Sequence, residues 1–390
     1  MGDSTEGAEM QPRSALRVSI AGLLLLAGVG ILALSMSSSN AANKDFVTYW
    51  AAGRQLLHHA NPYDGPEILR LEREAGSKVD RPYFMRNPPI ALFLALPFGA
   101  MNEWLGAMVW SLLLVLSLMT SIRVIWRLMR KPPGRLHLAG YIFPPALECL
   151  TVGQVGIFLL LGFTSFLYFR KTKPFLAGAS LMLCLLKPHM FLPLSVVLLM
   201  SCLRERAYRV LAGFGTAVLA CALLTWTIDP LAWGQYAQMM RTVDVLNEPL
   251  PTVSLLFRVA IDVRWAWLQF VPAAIAAVWA AWYFRRQRDW SWTTQGLLVL
   301  TVSVMVAPYG FITDEAVVLP AILFGLYSLE KKGRSLAPYV IVVLPALVEV
   351  LAGVGVNTFW YVWTAPAWFG FYLYATRSGH ALRTPDEVAA

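Results

Sequence analysis

Long apolar runs separated by short polar turns set the pattern of this chain. They fall at Val18 to Met36, Pro89 to Trp126, Leu138 to Leu150, Gln154 to Phe169, Phe175 to Leu186 and Phe191 to Leu203. They continue at Val210 to Thr227, Leu268 to Phe284, Thr294 to Phe311, Ala316 to Leu329, Tyr339 to Val354 and Phe359 to Tyr374. A helix needs about 20 apolar residues to cross the hydrocarbon core, so the pattern predicts about twelve transmembrane or re-entrant helices. Several runs are only about 12 to 16 residues long, as in tilted, broken or re-entrant segments that line a cavity. The expected fold class is an all-α polytopic membrane protein. Its parts are a cytoplasmic tail over 1–17, a single transmembrane domain over 18–376 and a cytoplasmic tail over 377–390. The extracytoplasmic loops are expected at 37–87 and 228–266. A cleaved signal peptide is the alternative for Val18 to Met36.

The first of those loops is not a simple connector. Phe46, Tyr49, Trp50, Gly53 and Leu57 recur at three- and four-residue spacing, which predicts an amphipathic helix on the membrane surface. Asn61-Pro62-Tyr63-Asp64-Gly65 breaks it. A second short helix is expected to start at Asp64 or Gly65, with Pro66 in its first turn, and to end at Gly76.

Composition supports the membrane reading: 57% of residues are hydrophobic, 14% are charged and the mean hydropathy is +0.57. These values disfavour a soluble enzyme, a disordered scaffold and a disulfide-stapled module. The net charge of +9 might suggest nucleic-acid binding, yet whether it does depends on where the cations lie. Threading the segments from an inside N-terminus puts Arg123 to Arg135, Arg170 to Lys173, Arg204 to Arg209, Arg285 to Asp289, Lys331 to Arg334 and the tail from Arg377 in the cytoplasm. Every one is rich in Lys or Arg. Acids such as Asp229, Asp244, Glu248, Asp262, Asp314 and Glu315 fall outside. The positive-inside rule therefore accounts for the basic balance, and no nucleic-acid partner is expected. Cys149, Cys184, Cys202 and Cys221 lie in or at the edge of apolar runs without a CxxC spacing, so neither a disulfide nor a zinc site is implied.

Polar residues that interrupt apolar runs are the candidates for chemistry, because such groups are costly in hydrocarbon. Asp45, at the start of the surface helix, reads either as a first-turn acid complementing the helix dipole or as a general base at the membrane boundary. Arg86 stands where the loop meets the next span, placed to snorkel to ordinary headgroups or to grip a phosphate. Lys187-Pro188-His189 breaks a long apolar stretch, as a hairpin cap or as an anion site. Gly153-Gln154 is a similar small polar break. Asp314 or Glu315, after Ala307-Pro308-Tyr309-Gly310, reads as a solvated turn carboxylate or as a ligand for a sugar hydroxyl. By the threading above, all these breaks share the extracytoplasmic side.

In order along the chain, Asp45-Phe46-x-x-Tyr49-Trp50 with Gly53-Arg54, Asn61-Pro62-Tyr63-Asp64, Asn87-Pro88-Pro89, Gly153-Gln154, Lys187-Pro188 and Ala307-Pro308-Tyr309 with Asp314 resemble glycosyltransferase family 87. The resemblance implies a GT-C-like membrane bundle and an enzyme that uses a polyprenyl-phosphate sugar, with mannose the commonest sugar. It makes Asp45 the counterpart of an essential carboxylate. Arg86, Lys187 and His189 would hold the donor phosphate, and Tyr49, Asn87, Gln154, Tyr309 and Asp314 the sugar or acceptor. His189 and Val155 stand where many relatives carry Gln and Asn.

The implied reaction is an inverting sugar transfer in the bacterial cytoplasmic membrane, on its outer side. No metal or other cofactor is expected, since a lipid phosphate leaves as an anion and no Asp-x-Asp pair stands nearby. The partners would be the polyprenyl-phosphate donor, membrane lipids and a glycolipid, polysaccharide or protein acceptor. A transporter or flippase of a lipid-linked sugar is the competing class; no repeat between halves and polar breaks on a single face speak against it.

Overall fold

The computed structural model describes residues 45–78, 80–132, 134–243, 248–333 and 358–377. Every regular element among them is helical. The expected spans Val18 to Met36 and Tyr339 to Val354, the tail 1–17 and nearly all of the tail 377–390 lie outside the described residues, as does Asp244.

The first half comprises α1 (Phe46–Leu57), α2 (Gly65–Glu74), α3 (Leu92–Gly99), α4 (Glu103–Leu128), α5 (Pro144–Val152), α6 (Gly156–Phe169), α7 (Pro174–Ser180) and α8 (Leu192–Arg204). The second comprises α9 (Tyr208–Ile228), α10 (Ala232–Thr242), α11 (Val253–Ile261), α12 (Val271–Arg286), α13 (Gln295–Met305), α14 (Leu319–Lys331) and α15 (Thr364–Arg377). Short 3-10 turns precede several of them, notably Leu136–Ile142, Pro188–Phe191 and Ile312–Val318.

The apolar pattern located most of these helices, and their lengths separate candidate spans from shorter apolar helices. Among the described residues, four helices are long and apolar enough to cross a membrane: Glu103–Leu128, Tyr208–Ile228, Ala266–Arg286 and Ile312–Lys331. Pro174–Leu186 and Pro188–Arg204 make a fifth if their 119° bend at Lys187 counts as one broken span. The expected single run Pro89 to Trp126 is two helices. Asn102 accepts a hydrogen bond from the Leu105 N–H at 2.8 Å and starts α4 anew. Asn102-Glu103 is only a brief polar interruption of a long apolar run. The expected loop 228–266 also holds the helices α10 and α11.

The surface helix needs correction. Its boundaries stand, but α1 is buried nearly all round, from Phe46 to Gly53 and at Gln55 and Leu56. Gly53 packs against α3 so closely that an added Cβ would lie 2.2 Å from the Ala95 carbonyl oxygen. Small residues on both helices permit this backbone approach, and α1 joins the interior. The second loop helix, α2, follows its expected limits, with Asp64 before it and Gly76 at φ +93° after it.

Large apolar side chains exposed on α4 (Trp104, Leu112, Leu116), α9 (Leu219, Leu223, Trp226) and α12 (Ile275, Val278, Trp282) fit a membrane protein. In contrast, the apolar window of Ile312–Lys331 is 94% buried, so this helix is the centre of the bundle. Several of the basic turns are tied to one another or to the end of this helix. Arg204 donates to the Gln287 carbonyl at 3.0 Å, Tyr327 to that of Gly134 at 3.0 Å, and Lys332 to that of Ala375 at 2.7 Å. Helices α6, α8 and α13 each run from one of these turns to the polar breaks at their other ends.

Candidate active site

Asp45 directly precedes α1, yet its side chain caps nothing. The carboxylate instead accepts a hydrogen bond from Gln154 Nε2, while the Asp45 N–H donates to the Val152 carbonyl at 2.7 Å. The capping role therefore does not occupy this group. Gln154 is aimed by the turn before it: Gly153 closes α5 at φ +78°, where a side chain would be strained. Beneath this turn stands Trp110, fully buried, whose Nε1–H donates to the Gly153 carbonyl at 2.8 Å. Tyr49 stacks on the same indole at 4.8 Å, and Phe46, Phe98 and Phe158 surround it. An aromatic pedestal thus fixes both ends of the Asp45–Gln154 contact.

Burial pushes the Asp45 carboxyl above its ordinary value, because the charged form loses hydration. The Gln154 hydrogen bond and the cations of Lys187 and Arg86 act against this, and Asp314 adds to it. The net shift is upward, and all four neighbours lie close enough to contribute.

Lys187 and Asp314 form a buried ion pair at 2.6 Å, with side-chain exposures of 9% and 0%. The other Asp314 oxygen accepts the Phe311 N–H at 3.0 Å, which fastens the start of Ile312–Val318. Asn87, buried beside them, donates to the Leu186 carbonyl at 2.7 Å and so ties the first loop to the bend at Lys187. Arg86 is half-buried. Its Nη1 and Nη2 reach the two Glu248 oxygens at 2.8 and 2.5 Å, and Nη1 also donates to the Tyr309 hydroxyl at 3.0 Å. Burial opposes its charge, but the hydrogen bond to the Glu248 carboxylate more than compensates and keeps it protonated. His189 sets its ring edge-on to Tyr309 at 5.5 Å, with Nε2 buried and unpartnered.

Glu315 apart, the residues singled out from the sequence thus belong to one cluster. Asp45, Tyr49 and Gln154 form one side, Lys187, Asp314 and Asn87 the second, and Arg86, Tyr309 and His189 the third. Asp314 is committed to Lys187 and to the backbone rather than standing free on a turn. Glu315, its alternative, is buried elsewhere and accepts from Thr364 at 2.6 Å and Trp368 at 2.9 Å, locking α15 to the centre. The sequence reading missed Glu248 and Tyr236, whose hydroxyl donates to the Arg86 carbonyl at 3.3 Å. Glu248 was legible only as one outer-loop acid among several, and no local motif points from it to Arg86.

A family model described as glycosyltransferase family 87 matches residues 84–308. The matched stretch holds Arg86, Asn87, Gln154, Lys187 and His189, and leaves Asp45, Tyr49, Tyr309 and Asp314 outside it. No curated protein and no solved structure matches the chain. The match takes in more than half of the 390 residues, and the protein belongs to glycosyltransferase family 87.

Proposed function

We propose that this glycosyltransferase moves a sugar, mannose by preference, from a polyprenyl-phosphate donor to an acceptor hydroxyl on the extracytoplasmic side of a bacterial cytoplasmic membrane. Asp45 is the general base. The observation that carries the reading is the convergence of Asp45, Gln154, Lys187–Asp314 and Arg86–Tyr309 in one cluster at the ends of apolar helices.

The chemistry follows from the charges. Asp45 takes the proton of the acceptor hydroxyl as its oxygen attacks the anomeric carbon from the face opposite the phosphate. A carbon–oxygen bond to the acceptor forms while that to the phosphate breaks, and the electron pair leaves with the lipid monophosphate, giving inversion. The leaving group is already a stable anion and needs no protonating acid. A carboxyl raised by burial is a stronger base than one in water, and Gln154 orients it without neutralising it. Each cation of the cluster already faces a carboxylate, Lys187 that of Asp314 and Arg86 that of Glu248. A phosphate would therefore be recognised by N–H donors still uncommitted, above all those of Arg86, rather than by an excess of positive charge.

The acceptor, a glycolipid, polysaccharide or protein, and the sugar are addressed by one experiment. Purified protein in lipid vesicles is supplied with polyprenyl-phosphate mannose and other polyprenyl-phosphate sugars, each labelled, together with membrane extracts as acceptor. Label should pass into a lipid or polymer fraction, and a chelator should leave the rate largely unchanged. Counterflow of the labelled lipid without any product would overturn the reading in favour of a carrier.

A further inference from the structure

Arg86 carries five N–H donors. Three are engaged: one on Nη1 and one on Nη2 by the two Glu248 oxygens, and the second on Nη1 by the Tyr309 hydroxyl. What remains is the Nε–H and the second Nη2–H. These two point in parallel from nitrogens that share Cζ and form a fork that matches two oxygens of a phosphate. The end-on grip of Glu248 therefore leaves the Nε–Nη2 edge without a hydrogen-bond partner among the described residues.

We propose that Glu248 is a positioning residue for phosphate recognition. By taking both terminal nitrogens of Arg86 it fixes the guanidinium plane, so that the Nε–Nη2 edge meets the phosphate of a lipid-linked donor with little loss of side-chain freedom. The inference rests on the assignment of the donor phosphate to Arg86. Two further contacts make the clamp rigid: Tyr309 holds the same Nη1, and Tyr236 holds the Arg86 backbone carbonyl. The ion pair is half-buried, with exposures of 21% and 33%, where a carboxylate can orient a cation without the desolvation cost of the deeply buried Lys187–Asp314 pair.

The test measures binding of polyprenyl monophosphate, which lacks the sugar, to the full chain in nanodiscs. Glu248→Ala should weaken binding about tenfold, the loss expected from one misoriented bidentate contact. Glu248→Asp and Glu248→Gln should lie between, and serve if the alanine variant folds poorly. In an Arg86→Ala background the Glu248→Ala loss should vanish, a coupling that a purely structural role would not produce. Unchanged or tighter binding in the Glu248 variants would overturn the proposal, tighter binding marking Glu248 as a competitor for the phosphate. Equal losses with and without Arg86 would overturn it too. Failure of the unmodified protein to bind the lipid phosphate would instead remove the donor assignment itself.

Discussion

Two aspartates share this cluster in contrasting environments. Asp314 is wholly buried, paired with Lys187 and bonded to the Phe311 N–H, so both of its oxygens are spoken for. Asp45 is also sheltered, but it has no cation in direct contact, and its carboxylate receives one amide hydrogen bond from Gln154. Environment, not residue type, separates them: a carboxylate locked in an ion pair holds structure, and one that is desolvated but unpaired can take a proton. Breaking each in turn tests this division.

The largest effect belongs to Asp45→Asn. Sugar transfer by reconstituted membranes should fall by about 10²- to 10⁴-fold, the span of a lost general base. The fold should persist. Because burial raises the Asp45 carboxyl, its contribution to stability is favourable below the unfolded value near 3.8 and is lost as pH rises through the raised folded value. At neutral pH the amide should thus melt no lower than the acid. Retained transfer would remove Asp45 from the mechanism.

Next comes Lys187→Met, which leaves Asp314 buried and unpaired. It should cost about 3–5 kcal/mol of stability, seen as a lower unfolding midpoint in detergent. Replacing both partners, Lys187→Met with Asp314→Leu, should recover part of that stability but not the activity. Full stability in the single variant would show that the pair does not hold the bend.

A smaller change is expected at Gln154. Its hydrogen bond favours the ionised Asp45, so Gln154→Leu should push the carboxyl further up. Since the base works only when ionised, the acidic limb of kcat/KM against pH should move to higher pH. A limb that stays in place would detach Gln154 from the base.

The smallest effect lies outside the site. Glu72 on α2 accepts the Tyr83 N–H at 3.1 Å, and burial pushes its carboxyl up to about 7. Its stabilising contribution is complete below about pH 4.5 and is lost as pH rises through about 7. Glu72→Gln should flatten the dependence of the melting temperature on pH over that range and leave transfer unchanged.

Much of this molecule was legible in order along the chain. Apolar runs located most of the described helices, Asp64-Gly65-Pro66 and Gly76 bounded α2, and polar breaks in apolar surroundings marked Asp45, Arg86, Gln154, Lys187 and Asp314. Those signals are local, and water-fearing surroundings make any polar residue conspicuous. Among the described residues four or five helices are long and apolar enough to span, and the other apolar runs form shorter helices, a difference that hydropathy alone does not mark. The burial of α1 was equally hidden: its apolar spacing is the same whether a membrane or the close-packed α3 covers it.

The sequence by itself determined the helical membrane class, the gathering of cations into turns and which residues were chemically out of place. Only the tertiary structure decided who faces whom. Asp45 could have capped its helix, but Gln154, 109 positions away in the chain, claims its carboxylate. Lys187 finds Asp314 across 127 positions and Arg86 finds Glu248 across 162. Side-chain type and local spacing carry no record of such distant partners, and the partner each charge meets is decided only when the helices close.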